Sequence, residues 1–148
     1  MNKAANIAGV FFGLLFVVFG LNFFLKFIPM PPGPPEGSPP ALFMAAMFPT
    51  GYLAFVKVIE IVGGVLVATP RTRNFGLLAL GPIVVNILAF QVFLAKGAGL
   101  LDPPVVLVTA LSLFLLWCER KSFLALLRKP TAQPATKGLA VDATATAV

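Results

Sequence analysis

The fold turns on residues 52–94, YLAFVKVIEIVGGVLVATPRTRNFGLLALGPIVVNILAFQVFL. Two apolar runs, residues 52–69 and 74–94, are separated by Pro70 and the basic turn Arg71-Thr72-Arg73. A helix crosses the hydrocarbon core of a bilayer with about 20 apolar residues. Proline stops a helix and pushes its predecessor into an extended conformation. No alternation of period two runs through either segment. In lipid the backbone must satisfy its own hydrogen bonds, so the pair reads as two antiparallel membrane helices joined by a tight basic turn.

The rest of the chain extends this pattern. Its 148 residues are 59% hydrophobic and only 11% charged, against about 25% charged in a soluble domain. Mean hydropathy is +0.98. A soluble fold of this size leaves too much surface in water to hide such a composition. An apolar run over residues 7–28 is too long for the core of a signal peptide and reads as a first span. Gly9, Gly13 and Gly20 lie at spacings of four and seven on it and would let a neighbouring helix approach closely. Residues 29–40 form a proline- and glycine-rich loop. Residues 41–48 are apolar but too short to cross, which suggests an interfacial or re-entrant helix ending at Pro49-Thr50-Gly51. Asp102-Pro103-Pro104 has the composition of a helix start. The fourth span, 104–118, is short, with Glu119, Arg120 and Lys121 snorkelling and the helix continuing through Leu127. The expected architecture is an all-α, four-helix transmembrane domain over residues 1–127, followed by a disordered tail over 128–148.

Alternating the loops puts Lys3, Arg71, Arg73, Arg120, Lys121, Arg128, Lys129 and Lys137 on one side. Only Lys26 and Lys96 fall on the other, near Glu36 and Asp102. The basic side is cytoplasmic, so both termini are expected there, in a multi-pass protein of a bacterial inner membrane. The net charge of +6 follows from this bias. The basic residues flank apolar runs and form no aromatic-interleaved patch, so a nucleic-acid partner is not expected. Membrane lipids and a membrane or redox partner protein are.

Histidine is absent and Cys118 is the only cysteine. The chain therefore has no dithiol pair, no Cys/His zinc site and no histidine for haem. No metal site and no cofactor of its own are expected, although a quinone needs only polar contacts and an apolar slot. Fifteen phenylalanines read as lipid contact and bundle packing.

Ionisable groups inside a span are costly and are functional candidates by default. Lys57 and Glu60 stand three apart, on one helix face. Gly64 continues that face beside Gly63. The pair reads either as a self-neutralising structural contact or as a site for a polar headgroup or a proton relay. In the third span Pro82 and Asn86 share a face, and Gln91 lies about 140° round from Asn86. The plainer reading of Asn86 is an interhelical hydrogen bond. Asn22 and Lys26 share the outer end of the first span. A polar cluster of Asn22, Lys57 and Glu60 below the outer surface is expected, with Gln91 able to join it and Asn86 deeper.

The stretch Gly51-Tyr52-Leu53-Ala54-Phe55-Val56-Lys57-Val58-Ile59-Glu60-Ile61-Val62-Gly63-Gly64 resembles the second-helix signature of the DoxX family. Gly20-Leu21-Asn22-Phe23-Phe24 is similar to its first-helix ending. Gly81-Pro82-Ile83-Val84-Val85-Asn86-Ile87-Leu88-Ala89-Phe90 resembles the third-helix pattern of one branch. The similarity covers roughly residues 5–118. It implies a four-helix membrane fold and an association with redox chemistry, since relatives include a subunit of thiosulfate:quinone oxidoreductase. In that branch a histidine often follows the position of Phe90, and here Gln91 stands there. With this resemblance, the leading reading is an accessory or quinone/lipid-binding subunit of a membrane redox or envelope-stress system, and the lack of a visible cofactor ligand set argues against an autonomous oxidoreductase. The alternatives are a small transporter or lipid-handling protein using Lys57 and Glu60, and a structural partner of another membrane protein.

Overall fold

A computed structural model describes residues 3–127. The tail expected from Arg128 onward lies outside the described residues. Five α-helices account for the described chain: α1 (Lys3–Leu25), α2 (Pro39–Met47), α3 (Tyr52–Ala68), α4 (Arg73–Ala89) and α5 (Pro103–Leu127). α4 runs on into a π-helical turn, Phe90–Leu94. No strand occurs among the described residues.

The helix ends follow from local chemistry. α1 stops where Lys26 turns into the left-handed region, at φ 52°. The Asn22 carboxamide then fastens the reversing chain, accepting from the Ile28 amide at 2.6 Å and donating to the Ile28 carbonyl at 3.2 Å. α2 begins at Pro39 and Pro40, where a missing amide costs nothing. Gly51, at φ 74°, makes the corner into α3, and α2 and α3 meet at 85°. α3 ends at Thr69, held extended by the following proline. The Thr72 hydroxyl donates to the Leu66 carbonyl at the helix end, and the Thr69 hydroxyl joins its own amide on the Val65 carbonyl. The Ala95 amide donates to the Phe90 carbonyl, five residues back, which widens the last turn of the α4 segment. Asp102 caps α5 with its backbone carbonyl, which receives the amides of Val105 and Val106 at 3.0 Å.

Three helical segments are long and apolar enough to cross a membrane: Lys3–Leu25, Arg73–Leu94 and Pro103–Ala125. α3 has 17 residues and meets the same measure only together with α2, as a sharply bent pair. α5 continues unbroken past Cys118 to Leu127, and Phe123 still packs against the core.

α1 packs on α3 and α5, and α4 packs on α3 and α5, which closes a ring in the order α1, α3, α4, α5. The core inside it holds Phe12 and Phe16 from α1, Val67 from α3, Leu77, Leu80 and Val84 from α4, and Val108 and Leu115 from α5. The α1–α3 contact is the closest. A Cβ on Gly64 would stand 2.6 Å from the Gly13 carbonyl oxygen, and one on Gly13 would run into the Gly64 carbonyl. Only glycine at both positions lets the two backbones touch. α2 lies outside the ring, with Phe43 against Phe90 and Phe48 against Phe23.

Candidate functional site

Call the end of the ring where α1 starts its base, and the end bearing α2 its top. α3 descends from the top, so Lys57 lies about 7–8 Å and Glu60 about 12 Å below its first residue at 1.5 Å per residue. Both carboxylate oxygens of Glu60 accept from the Lys57 ammonium, at 3.0 and 2.8 Å. Glu60 is buried, while Lys57 is half-buried. Lysine has three donors. Two go to Glu60, and the third has no partner among the described residues.

The pair faces space rather than packed side chains. A cavity of about 240 Å³ lies against it, bounded by Phe16 and Phe19 of α1, Ile87 of α4, and Val105 and Val108 of α5. All four helices of the ring therefore contribute to its wall. A second cavity of about 580 Å³ lies above, between the end of α1, the 26–30 segment, α2 and α3. Lys57 and Phe19 line both. The charged groups around the upper cavity are Lys26 and Lys57, and the rest of its wall is largely apolar, with Phe23, Met30, Met44 and Phe48. Volumes of about 300–1,000 Å³ are usual for small-molecule sites, and the upper cavity falls within that range.

The other polar residues singled out in the sequence are distributed differently. Asn22 lines the upper cavity with Lys57, but its carboxamide is engaged by Ile28, and its Nδ2 also lies 3.4 Å from the Met30 sulfur. Gln91 lies in the π turn, with its carboxamide packed on Gly99, and borders neither cavity. Asn86 is exposed on the outside of α4, and its side chain makes no hydrogen bond among the described residues. The structure thus brings Asn22, Lys57 and Glu60 to one region and leaves Gln91 and Asn86 outside it.

A second polar cluster sits at the base. Arg73, only 3% exposed, donates Nη2 to Asn6 Oδ1 at 2.9 Å, Nη1 to Glu119 Oε1 at 3.2 Å and Nε to the Val67 carbonyl at 3.4 Å. One guanidinium therefore ties α4 to α1, α5 and α3. Gly9 makes room for it, since a Cβ there would lie 2.8 Å from Arg73 Nε. By sequence alone Arg73 belongs to a surface turn and Glu119 to a snorkelling group, whereas in the fold Arg73 is buried and Glu119 half-buried. One signal was present: Glu119 is the single acid in the basic segments at that end, apart from Asp142 in the tail. A lone acid among so many bases marks a candidate partner for a buried one.

Compared with protein families, with curated proteins and with solved structures, the chain gives no match to any of the three.

Proposed function

We propose that the chain is a four-span membrane protein, with both termini cytoplasmic, that binds a lipophilic molecule by its polar head against Lys57 and Glu60. α3 alone rises roughly 25 Å, close to the hydrocarbon thickness of about 30 Å. α2, at 85° to it, lies across its top rather than lengthening it. On this reading α3 is the remaining span, and α2 rests at the outer surface over the upper cavity.

The observation that carries the binding proposal is the position of Lys57 on the wall between two cavities, with one donor free. A pair with a purely structural role is best served by tight packing, since solvating or ligand-sized space beside it adds nothing to stability. A quinone carbonyl or a lipid headgroup oxygen would take the free donor, and its apolar part would lie along Phe16, Phe19 and Ile87. The role in a membrane redox or envelope-stress system rests on the DoxX resemblance alone. Mass spectrometry of small molecules copurified in mild detergent tests the proposal. A quinone or a lipid should be enriched with the wild type and depleted from folded Lys57→Met and Glu60→Gln proteins. Equal retention by both variants would leave the pair a structural contact.

A transporter or lipid-handling role draws on the same junction, because Phe19 and Lys57 are shared by the walls of both cavities, and a swing of these two side chains would join them into a path from the top to mid-depth. That reading expects flux through reconstituted vesicles, abolished by Glu60→Gln.

A further inference from the structure

Asn86 has an environment that the ring of helices does not explain. α4 with its π turn is long and apolar enough to cross a membrane, and Asn86 lies about 20 Å along it from Arg73, well inside the segment. Its side chain faces outward and has no hydrogen-bond partner among the described residues. A carboxamide held in hydrocarbon without a partner is unfavourable, and polar residues of membrane helices characteristically hydrogen-bond to another helix.

Two further features lie on the same strip. Leu78, Pro82 and Asn86 are spaced by four and are all exposed, so they stack along one side of the helix. Pro82 has no amide hydrogen and cannot supply the bond that the Leu78 carbonyl would receive in a regular helix. The strip thus carries a carboxamide and a carbonyl deprived of its usual donor, both turned away from the ring. Beside them Gly81 has nothing within 4 Å of where a Cβ would stand, and Val85 is 66% exposed. A neighbouring helix could come close here without displacing any side chain of this protein.

We infer that this face of α4 is the contact surface for a second copy of the chain, with the two Asn86 carboxamides hydrogen-bonded to each other across a two-fold axis along the membrane normal. A second copy of the chain meets this chemistry without any further group. A carboxamide carries both donor and acceptor, so two of them satisfy one another reciprocally when related by a two-fold. Lipid chains offer neither group. The two α4 helices then run parallel, crossing near Gly81 and Val85. A buried asparagine pair fixes register and stoichiometry in the same way in soluble helix dimers. Of α4 only Ile87 lines the lower cavity, about 100° round the helix from Asn86, and no α4 residue lines the upper one, so a contact through Asn86 and Pro82 leaves both unobstructed.

The test is the monomer–dimer equilibrium of the full-length protein in liposomes, read by single-molecule photobleaching over a range of protein-to-lipid ratios. The wild type should dimerise. Asn86→Leu removes both bonds of the reciprocal pair and should weaken dimerisation by roughly 10- to 1,000-fold, each interhelical bond contributing roughly 3- to 30-fold in membranes, and Asn86→Gln should restore part of it. In a Cys118→Ser background, Val85→Cys should form an intermolecular disulfide under mild oxidation. Val62→Cys, also exposed but on α3, should not. A wild type that stays monomeric throughout the range would overturn the inference, as would dimerisation indifferent to Asn86→Leu. Asn86 is exposed, so Asn86→Leu leaves the protomer folded, which its unfolding curve verifies.

Discussion

Arg73 and Glu119 should behave as one unit in stability, and the geometry sets the size of the effect. Arg73→Met keeps the apolar stem but removes the bonds to Asn6 and Glu119. Hydrogen bonds involving a charged group contribute about 1.5–3 kcal/mol each. The Glu119 side chain is 23% exposed and recovers water when released, which puts that bond at the low end. The Val67 contact, at 3.4 Å, is long enough to neglect. Arg73→Met should therefore cost about 3 kcal/mol. Glu119→Leu leaves the guanidinium charged, buried and held by Asn6 alone, again at a cost of about 3 kcal/mol or more. The double variant has neither stranded charge. It should fall about 2–3 kcal/mol short of the additive cost, the upper range for directly coupled pairs. Reversible unfolding in SDS-titrated mixed micelles, followed by near-ultraviolet circular dichroism, measures all four proteins. Additivity within about 0.5 kcal/mol, the behaviour of independent sites, would refute the idea that this pair closes the base of the ring.

Three other substitutions probe separate contacts by the same unfolding measurement. Gly64→Ala should destabilise by about 1–3 kcal/mol as an overpacking change, because its Cβ would meet the Gly13 carbonyl at 2.6 Å; an unchanged midpoint would mean that α1 and α3 are farther apart. Asn22→Ala strips the Ile28 amide and carbonyl of their partner and should cost about 1–3 kcal/mol. Hydrogen exchange should quicken at Ile28 while Phe16, in the middle of α1, stays protected. Asn74→Leu should stabilise by about 1 kcal/mol, since Asn74 Oδ1 is buried without a hydrogen-bond partner and an apolar side chain removes that deficit; a loss of stability would show that the oxygen has a partner after all.

The elements were legible because hydropathy and breakers are local properties. Pro70 ended α3, Gly51 began it, and Asp102-Pro103 opened α5, each by chemistry contained within a few residues. Lys57 and Glu60 were legible for the same reason, being three residues apart on one helix. What escaped was long-range. Arg73 and Glu119 are 46 residues apart, and nothing in either neighbourhood distinguishes a buried guanidinium from a surface one. Asn86 escaped for a different reason. Its placement on the Pro82 face was readable from spacing, but α4 is apolar all the way round. No polar stripe tells which side of it meets the ring and which meets lipid. Gln91 depended on the π turn, whose extra residue per turn shifts everything after Ala89 from the faces that a regular helix would give.

The two polar clusters differ in what surrounds them, and that difference bears on function more than their charge does. At the base, three donors of Arg73 meet three acceptors, one from each of the other ring helices, and Gly9 is spent on making the fit close. Neither Arg73 nor Glu119 lines a cavity, and only Asn6 edges a cleft, on the outer face of α1 away from the ring interior. Near mid-depth, Lys57 reaches only its own helix, so the pair it makes with Glu60 ties nothing to anything. Cross-linking the ring is thus the task of Arg73, and the glycine contact of α1 with α3 holds the wall beside Lys57 without help from the ion pair. A buried charge pair that joins no two elements, in a place already held by other contacts, has its desolvation cost offset by little in the fold itself. This is why Lys57 and Glu60, rather than the better-bonded Arg73, are the residues where substitution should change what the protein binds more than whether it folds.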